Sequence, residues 1–281
     1  MTRLNRPRLQ SQANLLLIYL IMIVVVTVIT FPYFYMISMA LMTEAESAAI
    51  PGRFLPAIPQ WQNFQVAWGR IQGLRPYLNT LIVAGGVTLV QLFTSSLAGF
   101  GFAKYRFPGR DLVFLLLLGS MTIPLFINII PWFWMINQID INNTLLGVMA
   151  PHFVTAFGVF MMRQFMLDIP DDLIDAARMD GASEFMIYRT VALPLCGPAL
   201  ATLGAFAFLY HWNDLLWPLI VLSDRANWTI NLAVLALQGY MGVSRYLQIA
   251  GGAMSVIPVI ILVIVLQRYF VQGTALSGIK G

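Results

Sequence analysis

The sequence predicts an all-α integral membrane protein of six spans. Three observations carry that prediction. Of 281 residues, 59% are hydrophobic and only 10% are charged, whereas soluble domains carry about 25% charged residues. The mean hydropathy is +0.78. Apolar runs of about 20 residues, the length needed to cross a hydrocarbon core of about 30 Å, recur along the chain between short polar segments.

Residues 1–12 are polar and basic, with Arg3, Arg6 and Arg8. A transmembrane domain is expected over residues 13–271, followed by a short tail over 272–281. The first span is placed at about 15–41. It is longer than a signal-peptide core and lacks a small-residue cleavage site, so it reads as an uncleaved span kinked at Pro32. The loop at 43–76 is rich in proline and aromatics, and Trp61 and Trp68 suit a membrane interface. The second span, about 77–103, contains Gly85-Gly86 and Ser95-Ser96, small residues that let helices approach closely.

The third span, about 112–135, is interrupted by Pro124 and Pro131, with Asn128 between them. Such a span is tolerated where it faces protein or a water-filled cavity. The fourth, about 144–162, holds His152 beside Pro151, read as a packing residue. The fifth, about 195–222, carries Tyr210, His211, Trp212, Asn213 and Asp214. Asp214 is the one acid deep inside an apolar run, and such a carboxylate is a functional-site hypothesis by default. Tyr210, Trp212, Asn213, Asp214 and Asn128 are therefore the candidate substrate path, with packing roles as the alternative. Residues 223–246 read as a segment lying on the outer membrane surface, and the sixth span, about 247–266, contains Pro258.

The polar stretch at 164–194 stands apart. Six of the chain's 12 acidic residues (Asp168, Asp171, Asp172, Asp175, Asp180 and Glu184) lie in it. Pro170 fits a first helical turn and Asp171 and Asp172 suit a helix N-terminus. Gly181 can close that helix and Ser183 can cap a second one, which runs through Phe185, Met186 and Tyr188. Physics alone leaves two readings open: an amphipathic hairpin folded onto its own membrane domain, or a docking surface for another chain.

The residues Asp175-Ala176-Ala177, then Gly181, then after nine residues Val191-Ala192-Leu193-Pro194, resemble the EAA motif of ABC-importer permeases, E-A-A-x-x-x-G followed by I-x-L-P. Both spacings hold. Asp175 stands where the family has Glu and reaches one methylene less far; Val191 stands where it has Ile. The segment FLPAIPQWQNF, the Trp212-Asn213-Asp214 region and the C-terminal tail also resemble carbohydrate-type permeases of the maltose and glycerol-phosphate systems. The resemblance implies a type I ABC importer permease fold with a cytoplasmic coupling helix pair. It implies Asp175, Ala176, Ala177, Gly181, Phe185 and Met186 as ATPase-docking residues, with Leu193 and Pro194 closing the motif. It implies a homologous second permease, an ABC ATPase dimer that holds ATP and Mg, an extracytoplasmic solute-binding protein, and a sugar, polyol or glycerol-phosphate type of cargo moved by alternating access.

Lysine and arginine counts address orientation without the motif. Eleven lie in the N-terminus, the 104–111 loop, the 164–194 region with Arg163, and the C-terminal end; five lie on the other face. The positive-inside rule places the eleven, and both termini, in the cytoplasm of a cell-membrane protein. No G-x-x-x-x-G-K-[ST] loop occurs, so ATP is expected on a partner chain and no cofactor on this one. HExxH and GxSxG are absent, which argues against an embedded enzyme. The remaining alternative is a secondary transporter driven by an ion gradient through Asp214 and His211.

Overall fold

The computed structural model describes residues 6–50, 52–239 and 245–277. Most of the basic N-terminal segment's first residues and the end of the C-terminal tail, including Arg3 and Lys280, lie outside them, as does the side chain of Arg268. The described residues are helical and contain no strand. Two compact units divide the chain: Met1–Arg70 with Leu237–Met254, and Ile71–Ala236 with Ser255–Gly281.

In the first unit, α1 spans Arg6–Ala40 with Pro32 inside it. Its apolar stretch, Asn14–Ala40, runs 27 residues with its most apolar window entirely unburied, as expected of a helix that faces lipid. The following turn is built by a capping box: Thr43 accepts from the Glu46 amide while the Glu46 carboxylate accepts from the Thr43 amide, starting α2 (Glu44–Ala48). Glu46 also receives the Ala57 amide, which holds the proline-rich loop back against this turn. In α3 (Gln62–Arg70), the buried Asn63 donates to the carbonyls of Ala40 and Met42, both at 2.9 Å. The first is a carbonyl that the end of α1 leaves without a helical partner, and the second lies in the turn just beyond it.

The second unit is organised around α4 (Arg75–Lys104), a 30-residue helix whose buried face is lined by Asn79, Thr80, Val83, Ala84, Val87, Thr88, Gln91, Ser95, Ser96, Gly99 and Phe100. After it come α5 (Arg110–Ser120) and α6 (Leu125–Gln138), bent by 101° at Pro124. Next are α7 (Leu145–Met149) and α8 (Ala156–Leu167), bent by 47° through a short 3-10 turn at Ala150–His152. The polar loop contributes α9 (Asp171–Met179) and α10 (Glu184–Ile187). A π-helical turn at Tyr188–Ala192 then leads to α11 (Leu193–Leu195) and, after an 81° bend, to α12 (Gly197–Asn213). The remaining helices are α13 (Leu216–Val221), α14 (Ile230–Gly239) and α15 (Arg245–Ser277), of which the end of α14 from Leu237 and the start of α15 to Met254 belong to the first unit. Among the described residues, three helices are long and apolar enough to cross a membrane unbroken, and the number rises to six if each of three bent pairs counts as one span by length and composition.

Several expectations change at this level. The 81° bend to the fifth span falls at Cys196, so the boundary lies just past Pro194. The helix continues through it, and the wider π turn sits just ahead of the residue that cannot donate to the preceding turn. The fifth span is not continuous to residue 222: α12 ends at Asn213, and Asp214 and Leu215 form a break before α13. Residues 223–246 do not simply lie on a surface. Ile230 and Leu232 of α14 are buried, and the Ile230 amide donates to Thr80 Oγ1 at 2.8 Å.

The close approach of α4 to α8 rests on missing side chains. A Cβ on Gly99 would lie 2.7 Å from Met162 Cβ and 2.9 Å from the Arg163 amide, and one on Gly158 would collide with Ser95 Oγ. Of the paired glycines, Gly86 lies under Met149, while Gly85 meets nothing. Where helices must associate inside an apolar medium, close backbone approach supplies much of the attraction. Gly158→Leu is expected to cost about 1–3 kcal/mol by overpacking and to reduce the monodisperse fraction on size exclusion. Gly101→Ala, where the new Cβ meets nothing within 4 Å, should leave that fraction unchanged.

Candidate functional site

Two places gather the polar chemistry of the second unit. The first is the loop between α8 and α12. Pro170 precedes α9, whose first turn holds Asp171 and Asp172. The helix closes where the amides of Asp180, Gly181 and Ala182 donate to the carbonyls of Ala176, Arg178 and Ala177. Gly181 supplies the required backbone, with φ +81°. Ser183 Oγ then accepts the Met186 amide and starts α10. The spacing therefore folds as helix, glycine turn, helix.

Burial separates the two sides of this hairpin. Ile174, Ile187, Tyr188 and Ala192 are buried with Met162, Met166 and Phe100 in one core. Tyr188 Oη meets Ser96 Oγ of α4 at 2.7 Å. The opposite side leaves apolar groups in the open: Leu173, Met179, Phe185 and Met186 are exposed, Met179 by 87%. Asp175 and Ala176 are exposed beside them, Ala177 and Leu193 are half-buried, and Pro194 is exposed. Ile174 thus points into the core with Ala177 packed beside it, while Leu173 and Ala176 lie on the open side.

Charged side chains brace the hairpin. Arg178 donates to Asp175 Oδ1 at 2.9 Å and to both carboxylate oxygens of Glu184, at 2.9 and 3.2 Å. Tyr105, just past α4, donates to the same Glu184. These acceptors raise the Arg178 pKa further above its already high value. At the end of α4, Lys104 Nζ donates to the Ile169 carbonyl and to Asp171 Oδ1, both at 2.6 Å. The Lys104 side chain is only 4% exposed, whereas that of Asp171 is 78% exposed. The Lys104 ammonium holds the Asp171 carboxyl below its ordinary value.

The second place is a cavity of about 560 Å³ bordered by α4, α6, α8 and α12. Gln91 on α4, Trp132 on α6, His152 before α8, and Tyr210 and His211 on α12 line it. Gln91 Nε2 donates to the His152 carbonyl at 2.6 Å and lies 3.2 Å from His211 Nε2, which accepts if the amide is oriented this way. The two imidazoles, far apart in sequence, have ring centroids 4.9 Å apart. Trp132 meets His152 edge-on at 5.1 Å, and Tyr210 meets His211 edge-on at 5.0 Å.

Of the five candidate path residues, only Tyr210 lines this cavity. Trp212 is buried away from it, donating its indole N–H to the Ser255 carbonyl at 3.2 Å. Asn213 is exposed and donates back to Leu209 of its own helix. Asp214 Oδ1 receives the Trp217 amide at 3.4 Å, the position of a residue that starts α13 after the helix break. Asn128 is half-buried on α6 and does not line the cavity. Gln91 and Trp132 were not among the sequence candidates, and His152 was read there as a packing residue. Gln91 is a polar residue within an apolar run, the same signal that singled out Asp214.

The second unit thus combines broken helices with a charged hairpin whose outer side leaves apolar groups exposed. Comparisons with known proteins give its family. The chain belongs to the family of binding-protein-dependent transport system inner membrane components, whose pattern matches residues 91–275; these are the permease components of ABC importers. It is similar to the arabinooligosaccharides transport system permease protein AraQ of Bacillus subtilis (strain 168), with 36% identity over 205 residues, 73% of each chain. It is also similar to the sn-glycerol-3-phosphate transport system permease protein UgpE of Salmonella typhi, with 30% identity over 254 residues, 86% of this chain and 89% of that one. Its fold matches a chain of a bacterial ABC transporter involved in the import of the acidic polysaccharide alginate, with a TM-score of 0.78 and 22% identity over 96% of this chain and 99% of that one. A chain of the MetNI methionine ABC transporter matches with a TM-score of 0.54 and 19% identity, over 73% of this chain and 95% of that one. As an inner membrane component of such a system, the chain works with an ATPase and a binding protein.

The Lys104–Asp171 tether predicts a pH dependence. Because the folded-state pKa of Asp171 is lowered, the tether's contribution is complete above the ordinary value of 3.8 and is lost as pH falls through the lowered value. Hydrogen exchange of residues 169–179 should be faster in Asp171→Asn than in the wild type at pH 7. The two should converge in acid, below pH 3.8.

Proposed function

We propose that this chain is the permease subunit of a carbohydrate importer, and that the hairpin at 164–194 is the surface an ABC ATPase dimer grips. The observation that carries the reading is the hairpin itself. Its EAA-like spacing folds into two short helices about a left-handed glycine, with Leu173, Met179, Phe185 and Met186 exposed beside Asp175 and Ala176. Exposed apolar groups rimmed by charge are the chemistry of a partner surface. Asp175, Ala176, Ala177, Gly181, Phe185 and Met186 are its docking residues, and Leu193 and Pro194 join it to the fifth span.

A homologous second permease completes the membrane unit, and ATP with Mg sits on the ATPase. Both termini and the hairpin face the cytoplasm, a placement supported by the bias of basic residues. ATP-driven closure of the ATPase dimer moves the hairpin, and the spans alternate between inward and outward access; such coupling requires the nucleotide states to contact the hairpin differently. The named relatives support carbohydrate-type cargo and span two chemistries, since arabinooligosaccharides are uncharged and glycerol 3-phosphate is an anion.

The second reading, an ion-driven transporter working through Asp214 and His211, gives the exposed hairpin no task. Collapse of the proton gradient should leave uptake intact while ATP depletion stops it; the reverse pattern would favour the ion-driven reading. Gly181→Pro, which cannot adopt the +81° φ, and Asp175→Arg should each abolish uptake and ATPase co-purification while membrane insertion stays normal. Wild-type uptake in either variant would remove the hairpin from the coupling path.

A further inference from the structure

The end of α4 holds both helices of the hairpin, with two different side chains. Lys104 holds the start of α9 through the Ile169 carbonyl and Asp171. Tyr105 holds the start of α10 by donating to Glu184. Arg178, in the last turn of α9, binds both oxygens of that same carboxylate, and its guanidinium carbon lies 5.9 Å from the centre of the Tyr105 ring. Glu184 is thus shared between α4 and α9, and a carboxylate held by both nitrogens of a guanidinium fork is fixed in direction as well as in place. Between Arg178 and Glu184 lies the glycine turn, flanked by the exposed Met179, Phe185 and Met186.

The covalent routes from the hairpin into the bundle are broken. Toward the fifth span the chain passes the π turn at Tyr188–Ala192 and the 81° bend at Cys196; toward α8 it passes the non-helical residues 168–170. Breaks of this kind are where helices bend. The apolar packing of Ile187 and Tyr188 around Phe100 is non-directional and tolerates sliding. By contrast, α4 is one helix from Arg75 to Lys104, with its proline in the first turn. Tyr105 lies 14 residues beyond Gln91, about 21 Å along the helix at 1.5 Å per residue. Gln91 in turn donates to the His152 carbonyl, in the short turn ahead of α8. We propose that Tyr105 is a positioning residue for coupling: its hydroxyl, through the Glu184 carboxylate it shares with Arg178, passes movement of the docked hairpin into α4 and so to the turn that Gln91 holds. The assignment rests on the docking role proposed for the hairpin and deepens it, with a joint that lies outside the EAA-like motif.

The test uses the assembled importer in nanodiscs and needs no solute. Hydrogen exchange is compared between the nucleotide-free complex and the complex trapped with Mg-ATP and vanadate. Two segments are read: the hairpin at 171–187, and the turn at 150–155 that Gln91 holds. In the wild type, nucleotide is expected to change exchange in both. Tyr105→Phe removes one oxygen and keeps the ring. It should leave the ATPase bound, the nucleotide-free exchange of both segments unchanged and the hairpin's response intact. The response at 150–155 should fall roughly fivefold, the lower end of usual coupling strengths, because the apolar packing remains. Glu184→Gln should reduce the same response, and adding it to Tyr105→Phe should reduce it no further, since both remove one joint.

A response at 150–155 of wild-type size in Tyr105→Phe overturns the proposal. So does a variant that loses both responses, or whose exchange is already raised without nucleotide, because the contact is then structural only. A wild-type complex whose hairpin responds while 150–155 does not overturns it as well; in each of these cases the docking role stands. If exchange of the wild-type hairpin is the same with and without the ATPase, the docking role itself fails, and the joint with it.

Discussion

The contact between α4 and α8 is the constraint on which the second unit depends. It exists because Gly99 and Gly158 leave no room for a Cβ and because the buried Ser95 and Ser96 are small. In an apolar medium the hydrophobic effect does little to distinguish one helix neighbour from another, so fit and interhelical hydrogen bonds must do so. With α8 held close, Gln91 of α4 reaches the His152 carbonyl and Ser96 reaches Tyr188. The same pairing fixes one wall of the cavity and the inner side of the polar hairpin.

The hairpin shows how one short segment serves two surfaces. Its buried residues, Ile174, Ile187 and Tyr188, tie it into the unit's core against Phe100 of α4 and Met162 and Met166 of α8. Its charged residues tie it to the end of α4 through Lys104 and Tyr105. The docking role proposed for the hairpin needs both attachments, because a surface that docks firmly but hangs loosely from the bundle would bend instead of pushing. Asp175 is turned toward Arg178 of its own helix, and Arg178 in turn clamps Glu184. The short acidic side chain is thereby accommodated within a network that stiffens the glycine turn.

Much of this was legible along the chain. Span lengths follow from apolar runs because a bilayer has a fixed thickness. The hairpin follows from proline, aspartate, glycine and serine at positions where backbone geometry needs them, and Gly181 does adopt the left-handed conformation. Polar residues within apolar runs were harder to place. Asp214 stands out as an intramembrane acid, yet its carboxylate receives the amide that starts α13. Trp212, grouped with it, packs through its indole against Ser255. Gln91 carries the same signal and is the residue that bridges the two histidines.

What the sequence by itself determined is therefore local: the helical, six-span membrane class, the glycine-hinged hairpin, and membership of a transport family through a motif of fixed spacing. These follow from chemistry within a few turns of backbone, where hydropathy, capping and the φ preference of glycine act over short range. Only the tertiary structure decided that His152 and His211 meet at 4.9 Å, that α14 buries Ile230 and Leu232, and that α4, α5, α6, α8 and α12 border a cavity with no Asp, Glu, Lys or Arg among its described lining residues. The physical reason is that lateral packing of apolar helices is set by shape. Residues 59 or 120 positions apart are brought together by which small side chains allow approach, and no periodicity within either helix records its partner.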